Sequence, residues 1–143
     1  MNRSILLAAA MLTGAFAAGC STTQSELTPQ VKPIVIAAPA LVINPSQPGV
    51  DQIVIERADF TKPGFVVIRA DNNGAPGDII SHSEMLSTGR HENFGININP
   101  VKAGARVIAV MHSDDGNVLF EFPGPDGPTL IDGQPITSIV NLK

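Results

Sequence analysis

Hydrophobic and polar positions change their rhythm twice along the chain. After the charged start Met1-Asn2-Arg3-Ser4, the stretch Ile5 to Ala18 carries no charge and closes on Ala17-Ala18-Gly19-Cys20. At about 14 residues it is shorter than the roughly 20 that a membrane-crossing helix needs. A basic end, a short apolar stretch and small residues at the cut are the order of a secretory signal. Then follow the polar residues Ser21 to Glu26 and five prolines at positions 29, 33, 39, 45 and 48. Repeated proline removes backbone donors and favours extended chain over helix. Ile34-Val35-Ile36 and Leu41-Val42-Ile43 interrupt this region, the later one as a candidate edge strand.

From residue 50 the rhythm becomes that of β-structure. Ile53-Val54-Ile55 and Phe65-Val66-Val67-Ile68 are short β-branched runs, ended by Lys62-Pro63-Gly64 and by Asp71-Asn72-Asn73-Gly74 with Ala75-Pro76-Gly77-Asp78. Phe94, Ile96 and Ile98 alternate with polar or small residues, a period of two that buries one face. Val107 to Val110 is continuous, as a central strand would be. Val118 to Phe122 alternates again and predicts another strand, and Ile139 to Leu142 predicts the last. A short helical turn is expected around Ser83 to Ser87. Asn-Gly, Asp-Gly and Pro-Gly pairs supply the connections. The pattern predicts an all-β chain: an antiparallel β-sandwich, immunoglobulin-like or cupredoxin-like, of seven to eight strands. A small barrel is the competing architecture. The expected organisation is a signal peptide over 1–19, an anchored cysteine and proline-rich tether over 20–38, and the sandwich over 39–143.

Composition narrows the function. Removing residues 1–19 takes away only Arg3 among the charged groups, which leaves 8 Lys and Arg against 13 Asp and Glu, a net charge of −5. With no basic cluster, nucleic acid is not an expected partner. Cys20 is the only cysteine, so the domain has no disulfide and no thiolate metal cage. Trp and Tyr are absent, which removes the usual sugar platforms and interface anchors. Neither Gly-x-Ser-x-Gly nor a phosphate-cradling Gly loop with its Lys is present, so no enzyme is expected.

Ala17-Ala18-Gly19-Cys20 resembles the lipobox of bacterial lipoproteins, with Ala17 where Leu is usual. The resemblance implies cleavage before Cys20 and a diacylglyceryl and acyl lipid on it, so that the membrane is a partner through the anchor. The implied location is the outer membrane in a diderm, since Ser21 is no retention signal, or the outer face of the cell membrane in a monoderm. Beyond the anchor, no cofactor is expected. The stretch from about Asp51 to Leu142 resembles an uncharacterised domain family of archaeal and bacterial cell-surface proteins. The resemblance rests on Gly64–Ile68, Gly74–Ile80, Gly89–Asn93, Ala109–Asp114 and Phe120–Pro128 in that order. It implies an extracellular β-sandwich module and supplies no catalytic residue. The resulting expectation is a non-catalytic module for binding or envelope organisation, with an envelope protein as a candidate partner.

The alternative function is metal binding. His82, His91 and His112, with Met111, are the soft or borderline ligands that would suit copper. Met111 and His112, adjacent on one strand, point to opposite faces, whereas His91 and His112 could meet if their strands are neighbours. Asp114 and Asp115, in Ser113-Asp114-Asp115-Gly116-Asn117, offer hard oxygens for calcium, with Asp126 and Asp132 further on. The competing explanations are structural histidines near sheet ends and a plain turn. Glu84 and Glu92 could form a carboxylate pair. Phe60, Phe65, Phe94, Phe120 and Phe122 are expected in the core; Asn72, Asn73, Asp114, Asp115 and Asn117 are expected at exposed turns.

Overall fold

A computed structural model describes residues 33–99 and 101–143. The expected signal peptide, Cys20 and the tether as far as residue 32 lie outside the described residues. Two facing sheets form the body, in line with the expected β-sandwich. Sheet A has the order β1-β3-β6, with β1 at Ala40–Val42, β3 at Gln52–Phe60 and β6 at Gly89–Asn97. Sheet B has the order β2-β10-β7-β4-β5, from β2 (Ser46–Gln47), β4 (Gly64–Asn72), β5 (Ala75–His82), β7 (Arg106–Ser113) and β10 (Thr137–Leu142). A two-stranded ribbon of β8 (Leu130–Ile131) and β9 (Gln134–Pro135) completes the ten strands among the described residues. Pairing is antiparallel except between β2 and β10. Among the described residues, no helix is long and apolar enough to cross a membrane.

Alternation decides what lies between the sheets. Ile53 and Ile55 are fully buried on β3 while Val54 between them is 40% exposed. The inward set on β3 then moves to Ala58 and Phe60. Asn93, at φ 53°, sits between the pairs Ile55–Phe94 and Arg57–Glu92, where this change of parity occurs. Asn tolerates that left-handed backbone better than most residues. Sheet B contributes Val66, Ile68, Val107, Ala109, Met111, Val140 and Leu142 to the same core.

The central strands β4 and β7 of sheet B are buried on their other face as well, which explains their continuous apolar runs. Phe65, Val67, Ile108, Val110 and His112 are buried although they alternate with the inward set. The segment that follows β7 folds back over part of this outer face. Phe120 stands 5.3 Å from Phe65 and Phe122 stands 5.2 Å from His112, ring centre to ring centre. The strand predicted over Val118 to Phe122 is therefore corrected to a loop. Val118 takes φ 64°, Leu119 is 65% exposed, and Pro123-Gly124 follows at once, so no ladder forms. Phe120 and Phe122 are half-buried on this outer face rather than in the core; Phe94 is half-buried against the core.

Two further expectations change. Ala75–Asp78, read as turn, opens β5, an edge strand where Pro76 removes no ladder donor that matters. The turn itself is Asn73-Gly74, both with positive φ, as a two-residue hairpin of this hand requires. Ser83 to Ser87 forms no helical turn. It runs on beside β4, with Ser83 bound to Val66 and Leu86 exchanging two backbone hydrogen bonds with Gly64, at 2.9 and 2.8 Å.

Candidate functional site

Sheet A is two strands narrower than sheet B, and the difference opens a cleft. Its volume is about 720 Å³, and it lies between β5 at the edge of sheet B and β6 at the edge of sheet A. That volume falls in the range of ligand pockets. The lining includes Leu86, Phe94 and Ile96 as apolar surface and His82, Glu84, Arg90, His91 and Glu92 as polar groups. At one end the Ser81 hydroxyl donates to the Asn97 carbonyl at 2.6 Å and ties the two edges together.

The charged groups of the cleft are unequally free. Arg90 donates to both carboxylate oxygens of Asp59, at 2.8 and 3.2 Å, and Asp59 is only 5% exposed. This hydrogen bond, with the charges of Arg90 and Arg57, holds the Asp59 carboxyl below its ordinary range despite burial. Glu84 and Glu92 are exposed and line the same cleft. The His82 ring shares a hydrogen with the Ser83 carbonyl through Nδ1 at 2.7 Å, and His91 does so with the Ser87 carbonyl through Nε2 at 2.8 Å. When each of these nitrogens is the donor, His82 Nε2 and His91 Nδ1 keep their lone pairs. The hydroxyls of Ser81 and Ser83 donate to backbone carbonyls, so no serine here is paired with a histidine base.

His112 lies elsewhere. Its strand β7 belongs to sheet B and the β6 strand of His91 to sheet A, so the two are not on neighbouring strands. His112 is completely buried, with Phe120 and Phe122 edge-on to its ring. Nδ1 hydrogen-bonds the Asp126 carbonyl at 2.8 Å, and Nε2 has no partner among the described residues. Burial pushes its pKa down, opposed by the Asp126 hydrogen bond and assisted by the positive charge of Arg69. His82 touches the same aromatic group, 4.7 Å from Phe120. Met111 is buried in the core on the opposite face from His112.

Asp114 and Asp115 converge with Asp126, one oxygen of each lying within 4.8 Å of the others. These carboxylates already serve the loop. Asp126, wholly buried, accepts the amides of Asp115 at 3.0 Å and Glu121 at 2.7 Å. Asp114 accepts the amide of Gly116, and Asp115 that of Asn117. Asp115 and Asn117 are exposed as expected, with Asn72 and Asn73; Asp114 is half-buried, with one oxygen buried and without a partner among the described residues. In the sequence Asp126 stands out only as a further oxygen donor beyond Asp114 and Asp115, within a Gly-Pro-Asp-Gly turn. The signal for its role is that an Asx acceptor was needed to hold the loop around it.

Residues 40–143 match a family described as "Domain of unknown function (DUF7282)". The chain is 32% identical over 93 residues to Cell surface glycoprotein 1 of Haloarcula hispanica and 31% identical over 93 residues to Cell surface glycoprotein 2 of the same organism. In each case 64% of this chain aligns with 10% of the relative, so the matched region is a small part of those glycoproteins. No solved structure matches.

Proposed function

The chain belongs to the DUF7282 family, and on that premise we propose that it is a lipid-anchored cell-envelope protein presenting one non-catalytic β-sandwich for binding or envelope organisation. Likeness to two cell-surface glycoproteins supports the envelope location. The anchor rests on a single observation: the only cysteine, Cys20, stands directly behind an uncharged run and three small residues. A thiol is the group that carries a thioether-linked lipid, and two or more acyl chains hold a protein on a bilayer durably. In a diderm, Ser21 leaves the outer membrane as the destination.

The cleft between β5 and β6 is the recognition surface in this reading. It combines an apolar lining with two free carboxylates and two histidines whose ring positions are fixed by backbone carbonyls. Growth of the producing cells with an alkyne-bearing palmitate tests the anchor. Label is expected on the wild-type chain and not on Cys20→Ser; an unlabelled wild type, or equal label on both, would sink it.

A further inference from the structure

The cleft has the form of a missing strand. Among the described residues, β6 pairs with β3 on one edge and with no strand on the other; β5, across the cleft, pairs with β4 alone. The Asn97 carbonyl turns from β6 toward β5, where the Ser81 hydroxyl meets it. By the alternation of an antiparallel strand, the backbone groups of Gly95 turn the same way. Beyond that closed end, the edge of β6 carries no proline, one of the usual devices against strand addition. Phe94 and Leu86 are half-buried against the core in the cleft, and Glu84 and Glu92 give it a negative rim because Arg90 is taken up by Asp59.

The same chain displays a segment with the complementary chemistry. Ile34-Val35-Ile36 is β-branched throughout and lies outside every strand, with Ile34 61% and Val35 85% exposed. In sequence it follows Lys32, a positive charge for the negative rim. It leads into β1, which lies at the opposite edge of sheet A from β6, with β3 between. Its own cleft is therefore on the far side of the sheet.

We propose that the cleft is a slot for residues 33–37 of a second copy, which adds to β6 as a fourth strand of sheet A, and that two copies exchange these segments reciprocally. Main-chain hydrogen bonds to the free edge supply affinity, and the side chains of Ile34 and Ile36 cover Phe94 and Leu86. Reciprocal exchange closes the assembly at two copies. The segment lies before the region matched by the family, residues 40–143. The pairing holds whether or not Cys20 carries lipid.

Sedimentation equilibrium of the full chain in mild detergent tests it. The wild type is expected to be dimeric at micromolar concentration. Ile34→Asp with Val35→Asp, at two exposed positions and with an unchanged circular dichroism spectrum expected, should weaken the dimer at least about a hundredfold. Glu84→Lys with Glu92→Lys, which sets like charge against Lys32, should weaken it about tenfold. Mixing the two variants should form a heterodimer tighter than either homodimer, because one intact segment meets one intact slot. A monomeric wild type at about 100 µM, a dimer indifferent to the aspartates, or no gain on mixing would each overturn the proposal.

Discussion

Acidification should loosen this fold through one buried ring. His112 is completely buried between Phe120 and Phe122, and burial pushes its pKa below the ordinary value of 6.5. The unfolded chain therefore takes up a proton at a higher pH than the folded chain does. The contribution of neutral His112 is fully present above pH 6.5 and is lost as pH falls from there toward the folded pKa. The loss cannot exceed about 1.4 kcal/mol per pH unit. Between pH 6.5 and 5.5 the accumulated loss is at most about 1 kcal/mol, or about 4 °C in Tm for a domain of this size. With no Trp or Tyr, far-UV circular dichroism is the suitable readout. His112→Asn, which keeps a donor beside the Asp126 carbonyl but does not titrate in this range, should lack this slope. The lowered carboxyl of Asp59 acts in a separate window, since its contribution is lost only as pH falls below 3.8. A wild-type Tm that is flat from pH 7.5 to 5.5, or an equal slope in His112→Asn, would refute the reasoning.

Gly64→Ala should be among the most damaging single changes. A Cβ there would stand 2.0 Å from the backbone oxygen of His112, so β4 must move off β7, at a cost of about 3 kcal/mol or more in denaturant unfolding. Ile55→Ala, at a position with no exposure, should cost about 2–5 kcal/mol with an unchanged m-value. Asp126→Ala strands the amides of Asp115 and Glu121; a loss of about 2–3 kcal/mol is expected, with faster hydrogen exchange at those two amides.

Much of the fold was legible because its physics is local. Ile53 and Ile55, Phe94 and Ile96, and Val107 to Val110 carry period-two or continuous apolar patterns that leave few alternatives to strands. Asn73-Gly74 and Asp132-Gly133 announce their turns by the backbone they alone adopt easily, with φ of 53° and 89° and of 52° and 78°. The loop over Val118 to Phe122 was misread because its two phenylalanines do alternate with other residues. What they bury is the outer face of sheet B, and alternation cannot tell a strand from a loop lying across one. Ala75–Asp78 was misread for the opposite reason: Pro76 and Gly77 are turn residues that an edge strand tolerates.

The candidate site was legible only in pieces. His82, His91, Glu84 and Glu92 stood out by type, yet nothing local says that β5 and β6 end as facing edges of different sheets. That follows from the strand order, which also separates His91 from His112. Ser81 and Asn97, which close one end of the cleft, carry no sequence signal at all, since their bond joins residues on two sheets. Asp126 likewise gains its role only when the loop brings it back to Asp115 and Glu121.

Intact-mass spectrometry of the mature protein, extracted from its native envelope, tests the proposed anchoring most directly. The expected mass is that of a chain beginning at Cys20 and carrying a diacylglyceryl group, with or without a further acyl chain on its amine. A mass matching an unmodified polypeptide with a free Cys20 thiol would contradict it.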